Sequence, residues 1–176
     1  RLIIYYLKTS RTNIALYEVQ NMLKEAQEED DKTGLSRCYN IMSQIYTIKR
    51  FDSMAFEWRL KEIELTEKYK IENYNISQTY AQIANYYINQ KKQKEALAAV
   101  EKAIATANSS TQQISAKLEF VNYYSKFGDF QAAEKLLKEC QAAFEQDKRL
   151  ESIKKRLYNI ECLYYQQTKQ YQKALE

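Results

Sequence analysis

Proline is missing from all 176 residues and glycine occurs only twice, at Gly34 and Gly128. Tight β-turns draw on these two residues, and both break helices, so their scarcity argues for an all-helical chain. Histidine is also missing. Without it, serine-histidine and cysteine-histidine catalysis lack their usual base. The three cysteines, Cys38, Cys140 and Cys162, are widely spaced and form no CxxC pair. A structural zinc site needs about four ligands in closer groups, so neither metal nor cofactor is expected. No glycine-rich phosphate loop is present. No run reaches the roughly 18 apolar residues of a membrane span, and no signal peptide is visible. The Asn75-Ile-Ser77 and Asn108-Ser-Ser110 sequons are too short a pattern to carry weight.

Apolar material is plentiful, with 45% hydrophobic against 28% charged residues, which supports a folded chain. The formal charge of +4 is a mild surplus and does not resemble a nucleic-acid-binding domain. The densest basic cluster, Lys148, Arg149, Lys154, Lys155 and Arg156, is interrupted by Glu151 and reads as a solvated helix face. Carboxylate pairs such as Glu28 and Glu29 sit in a solvated run, whereas acid-base chemistry needs a buried, shifted carboxyl. The segment is therefore read as non-enzymatic.

The organising feature is a spacing. A tyrosine stands nine residues ahead of an alanine five times: Tyr6 and Ala15, Tyr46 and Ala55, Tyr87 and Ala96, Tyr124 and Ala133, Tyr165 and Ala174. Successive tyrosines lie 40, 41, 37 and 41 residues apart. Such regularity marks an array of helical hairpins, with approximate units 1–33 (partial), 34–71, 72–110, 111–149 and 150–176 (partial). Stepping 100° per residue back from each tyrosine places Tyr39, Met42 and Ser43, then Tyr80, Ile83 and Ala84, on one face. Lys117, Phe120 and Val121 follow, then Tyr158, Glu161 and Cys162. This stripe is the expected core, with Lys117 and Glu161 reaching solvent over packed stems.

The second helices carry the alanine, an apolar residue four later and a small one seven later, as in Ala96, Val100 and Ala103. Small residues let two helices approach closely. In the copy containing Ala55, Arg59 and Glu62 fall where apolar residues are expected, which predicts a turn shortened by one residue. Cys140 and Cys162 occupy small-residue positions and are expected as buried spacers. Polar stretches at 28–34, 108–111 and 146–148 separate units, and a weaker break lies around Lys70 to Asn75. The helices are expected to run about 16–20 residues, roughly 25–30 Å. The chain starts at Arg1 inside a helical pattern and stops at Glu176 just after another begins, which reads as a piece of a longer protein.

The copy NYYSKFGDFQAAEKLLKEC has an aromatic near the end of a first helix, a glycine-aspartate-aromatic turn and an alanine opening a second helix. It resembles the tetratricopeptide repeat, and TKQYQKALE and QKKQKEALAAVEKAI follow the same pattern. The resemblance covers essentially the whole chain, departing in its period near 40 and its missing prolines. It implies an all-α, right-handed α-α superhelix of about four to five helix pairs, working as a scaffold for a protein or peptide segment. By that resemblance the first helices line the binding side, with Gln44, Gln82, Asn85, Asn89, Glu119, Asn122 and Lys126 facing a groove. A solvated polar face is the alternative. The carboxylate clamp of some members looks incomplete, since Glu119 and Ile160 occupy the places that follow Asn85 and Asn122. The acidic run before Gly34 and the long tyrosine-rich units are similar in style to sensory repeat regions of bacterial two-component sensor histidine kinases. That narrower resemblance implies a periplasmic segment tied to a membrane only through flanking sequence. A cytoplasmic peptide-binding regulator stays open beside it, as does a homodimer.

Overall fold

The structure is a computed structural model and describes residues 2–9, 11–170 and 172–173. Among the described residues it contains nine α-helices and no strand: α1 (Leu2–Lys8), α2 (Thr12–Glu28), α3 (Lys32–Ile48), α4 (Asp52–Tyr69), α5 (Ile76–Asn89), α6 (Gln93–Ala105), α7 (Ser110–Phe127), α8 (Phe130–Gln146) and α9 (Lys154–Gln167). A 3₁₀ segment, Lys148–Ile153, precedes α9. None of these helices is long and apolar enough to cross a membrane. Contacts gather into two compact units, Arg1–Asn73 and Tyr74–Glu176. Their boundary falls in the weak polar break around Lys70 to Asn75. In the first unit α1 pairs with α2 and α3 with α4, and α2 packs on α3. In the second, α5 pairs with α6 and α7 with α8, while α5, α7 and α9 pack side by side.

Backbone hydrogen bonds explain the nine-residue spacing. The carbonyl of each frame tyrosine accepts from the N–H five residues on: Arg11 (2.8 Å), Phe51 (2.9 Å), Lys92 (3.0 Å), Asp129 (2.9 Å) and Gln170 (2.8 Å). This is the bond that closes a Schellman turn, and it needs a left-handed residue just before the donor. Arg50, Lys91, Gly128 and Lys169 occupy that place, with φ of 63°, 57°, 90° and 60°. The carbonyl of the fifth residue then accepts from the alanine N–H, at 3.1 Å for Ala15, 3.0 Å for Ala55, 2.9 Å for Ala96 and 3.0 Å for Ala133. One bond spans five residues and the next spans four. Nine residues is thus the length of a helix stop followed by the first closed turn of the next helix. The second helix starts six residues after the tyrosine in α2, α4, α6 and α8 alike. Ala174 and Tyr171 lie outside the described residues.

All four described frame alanines are completely buried. That corrects the expected shortened turn before α4. Ala55 keeps its place, and Arg59 and Glu62 are buried at 7% and 1% exposure instead of being displaced from the core. The tyrosine stripe also shifts. Tyr46, Tyr87, Tyr124 and Tyr165 are half-buried, whereas Ile45, Tyr123 and Tyr164, one residue earlier, are buried. A first helix is covered on two sides, by its hairpin partner and by the neighbouring hairpin, so its buried face is wider than one stripe. Tyr123 packs against Ile88 and Ala96 of the preceding hairpin, and Tyr164 against Ala133 and Leu137. Tyr158, expected in the stripe, is 55% exposed. Lys117 and Glu161 are half-buried and pair with α8, Lys117 with Glu139 at 3.7 Å and Glu161 accepting from Gln141 at 2.7 Å.

Helix starts follow the polar breaks. Asp31 caps α3 by accepting from the Gly34 N–H at 2.9 Å, and Asp129 caps α8 through Ala132 at 3.1 Å. Ser109 accepts from the Gln112 N–H at 3.3 Å, while the Gln112 carboxamide reaches back to the Asn108 N–H at 3.1 Å. This reciprocal arrangement satisfies two donors at the start of α7. The longer helices have 17 or 18 residues as expected, but α5, α6 and α9 have 14, 13 and 14.

Candidate functional site

Among the described residues no group of histidine, cysteine and carboxylate side chains is placed to hold a metal ion. Of the expected spacers, Cys140 is completely buried and Cys162 is not. Cys162 is half-buried, and its sulfur accepts from Gln166 at 3.4 Å. Burial pushes the Cys140 thiol up to about 11, with Lys117 partly opposing it, and burial likewise raises Cys38. A thiol held protonated is a packing group rather than a nucleophile.

The expected groove residues divide between the units. Gln44 lies on α3 in the first unit and is exposed, donating to Asn40 at 2.6 Å. Asn40 belongs to a polar cluster that the sequence reading missed. Its amide donates to both oxygens of Glu62 at 3.2 and 3.1 Å, Asn73 donates to Glu62 at 2.8 Å, and Arg59 donates to Thr47 at 2.6 Å. Burial lowers the Arg59 pKa, opposed by the charges of Glu62 and Asp52. Opposite charges three residues apart on a helix face were the available signal.

The remaining six fall in the second unit, where α5, α7 and α9 pack side by side and bring equivalent positions into rows. Nine residues before each tyrosine stand Gln78, Ser115 and Arg156; five before stand Gln82, Glu119 and Ile160; two before stand Asn85, Asn122 and Leu163; two after stand Asn89, Lys126 and Gln167. Steps of four and three keep each set on one helix face. Asn85, Asn89 and Lys126 are exposed and Gln82 is half-buried. Glu119 and Asn122, expected on an open face, are 3% and 7% exposed. They sit on the central helix with α5 and α9 on either side. A buried carboxylate requires a partner, and Glu119 has two: an ion pair with Arg156 of α9 and a 3.5 Å contact from the Asn122 amide.

Arg156 is therefore not part of a solvated basic face. Arg149 and Lys154 of the same cluster pair locally, with Asp147 at 2.8 Å and Glu151 at 3.3 Å. The Arg149 guanidinium, aided by the Arg149 N–H and Ser110, holds the Asp147 carboxyl down at about 2.

At the nine-before row the face opens into a cleft of about 140 Å³, lined by Ser77, Gln78, Ala81, Thr111, Gln112, Ser115, Ala116, Ile153 and Arg156. Ser77 is engaged with the Ala103 carbonyl at 2.6 Å, and the Gln112 amide donates to the Tyr74 carbonyl at 2.8 Å. The sequence reading named none of the cleft residues as a site, because short polar side chains at three equivalent positions align only once the helices are packed.

No protein-family model matches this sequence, and no curated protein matches it. Its backbone nevertheless superposes on solved repeat proteins. BtubC (BKLC) from P. vanneervenii matches with a TM-score of 0.75 at 16% identity, over 99% of this chain and 73% of that one. A putative kinesin light chain of Podosopora anserina, with nearly identical TPR-like repeats, matches with a TM-score of 0.69 at 16% identity, over 99% and 87%. The fold of this chain is the all-α, TPR-like helical-hairpin repeat.

Proposed function

We propose that the chain is a non-catalytic scaffold that binds an extended segment of a partner protein on the face of α5, α7 and α9. The observation that carries this reading is the alignment of four rows across three packed helices, polar throughout on α5 and α7 and broken on α9 only by Ile160 and Leu163, leading into a cleft. Exposed carboxamides such as Asn85 and Asn89 can donate to and accept from a peptide backbone at once. The neutralised Glu119 and Arg156 pair holds the floor in one geometry, so a ligand meets a preorganised surface. The similar kinesin light chain carries TPR-like repeats, which supports a scaffold and no particular partner.

The test is a random-peptide phage selection on the isolated chain, followed by anisotropy titration of the selected peptides against Asn85→Ala/Lys126→Ala. Both residues are exposed, so folding should persist. At least tenfold weaker binding, about 1.4 kcal/mol, is expected with unchanged melting. Peptides that bind the double variant as tightly as the parent, or a selection that yields none, would refute the reading. The narrower role, an extracytoplasmic sensory region of a two-component regulator, rests on stylistic resemblance, and a cytoplasmic regulator rests on no more. The sensor role requires that the same double variant alter signalling output in the full-length protein.

A further inference from the structure

We propose that the cleft between Gln78, Thr111, Ser115 and Arg156 is a subsite for one terminal carboxamide, a glutamine or asparagine side chain of the bound segment. The inference rests on the binding reading above and assigns it a side-chain preference.

The chemistry follows from which groups are already engaged. Hydroxyls inside these helices habitually bond back to their own carbonyls, as Ser125 does with Val121 at 2.6 Å, Thr47 with Ser43 at 2.8 Å and Thr168 with Tyr164 at 3.0 Å. Ser115 makes no such bond, Thr111 stands in the first turn of α7 where no helical carbonyl lies four residues back, and the Gln78 amide has no protein partner; all three line the cleft. Arg156 Nε is covered and also lacks a hydrogen-bond partner, the one such buried side-chain atom among the described residues. The cleft thus collects two hydroxyls and a carboxamide without partners, beside the Arg156 side chain and between apolar walls at Ala81, Ala116 and Ile153.

Charge narrows the occupant. Arg156 is already ion-paired with the buried Glu119, so a second carboxylate or a phosphate would have to share that guanidinium close to an existing anion. An ammonium would find no carboxylate among the lining residues, and Glu119 is committed to Arg156. An aliphatic side chain would cover the free hydroxyls without bonding them, at the cost of leaving buried polar groups unsatisfied. A carboxamide is neutral and carries two donors and one acceptor oxygen, matching the mixed donors and acceptors of the wall. At about 140 Å³ the space lies below the roughly 300–1,000 Å³ of a small-molecule site, and so suits one side chain.

The probes are N-acetyl-glutamine methylamide and its glutamate, lysine and leucine counterparts, titrated into the ¹⁵N-labelled chain. Saturable shifts at Thr111, Ser115 and Arg156 are expected, with the glutamine probe at least tenfold tighter than the other three. Thr111→Val/Ser115→Ala should remove that preference while melting stays within a few degrees. Equal or tighter binding of the glutamate probe, or no saturable shift at these residues, overturns the subsite. Phage-selected peptides separate the two readings. Peptides weakened by Asn85→Ala/Lys126→Ala yet indifferent to Thr111→Val/Ser115→Ala overturn the subsite alone, and peptides indifferent to both overturn both.

Discussion

Substitution at the left-handed turn position tests whether the hairpins are written into the backbone or into the side chains. Gly128 and Lys91 occupy this position in the two hairpins of the second unit, at φ of 90° and 57°. A side chain in this conformation costs about 1–2 kcal/mol through the Cβ-carbonyl clash, while glycine gives back roughly 0.5–1 kcal/mol of unfolded-state entropy. The balance favours glycine by about 0.5–1 kcal/mol. A Cβ at Gly128 would meet nothing within 4 Å, so Gly128→Ala reports the backbone alone. It should destabilise by about 0.5–1 kcal/mol, a melting shift of roughly 1–4 °C for a chain of this size. Lys91→Gly also removes a charge near a helix C-terminus, worth about 0.3–1 kcal/mol, so the informative comparison is Lys91→Gly with Lys91→Ala. Both lose the charge and only one loses the Cβ. Urea unfolding followed by circular dichroism at 222 nm reads the difference, and the glycine variant should be the more stable. If Gly128→Ala is neutral, or if Lys91→Ala equals Lys91→Gly, the Schellman turn does not set the spacing.

Tyr123→Ala, which empties a buried place against Ile88 and Ala96, should cost about 3–5 kcal/mol, and the half-buried Tyr124→Ala distinctly less; equal losses in urea melts would contradict the shifted stripe. Native thiol labelling should modify Cys162 first and leave Cys38 and Cys140 until unfolding, so early labelling of Cys140 would refute its packing role. The Cys140 thiol is held at about 11, above the roughly 8.5 of an unfolded thiol. The unfolded chain therefore loses this proton first as pH rises. Stability should fall between about pH 8.5 and 11, and the Cys140→Ala chain should lack that part of the decline. Arg156→Met, which strands the 3%-exposed Glu119, should cost about 3 kcal/mol or more; Glu119→Gln/Arg156→Met should recover much of it, and no recovery would deny the pairing.

The hairpin array was legible because hydrogen-bond ladders impose integer spacings, and the five-plus-four ladder holds in all four frames whose alanine is described. Burial of charge was not legible. Arg59 and Glu62 looked like a register slip to a search that counts apolar matches, although each answers the other and Asn40 and Asn73 complete the set. Glu119 and Asn122 misled in the same way. Their polarity pointed to solvent, while Asn122 donates to Glu119 and the Arg156 that neutralises Glu119 lies 37 residues away along the chain. The tyrosine stripe was off by one residue because a helical wheel represents a lone cylinder, whereas each first helix meets two neighbours. The cleft could not be read at all, since Gln78, Ser115 and Arg156 share a repeat position but no residue type.

The turn at Arg50, Lys91, Gly128 and Lys169 is closed by main-chain atoms throughout. Every amino acid but proline supplies those atoms, so selection on the hairpin does little to hold particular letters at its corner. Lysine, arginine and glycine can replace one another there at the expense of a fraction of the stability. A comparison that aligns letters loses its anchor at such corners, while one that superposes backbones keeps it. This is why similarity at 16% identity can coexist with superposition over 99% of the chain. The architecture persists in a part of the polypeptide that sequence alphabets do not spell.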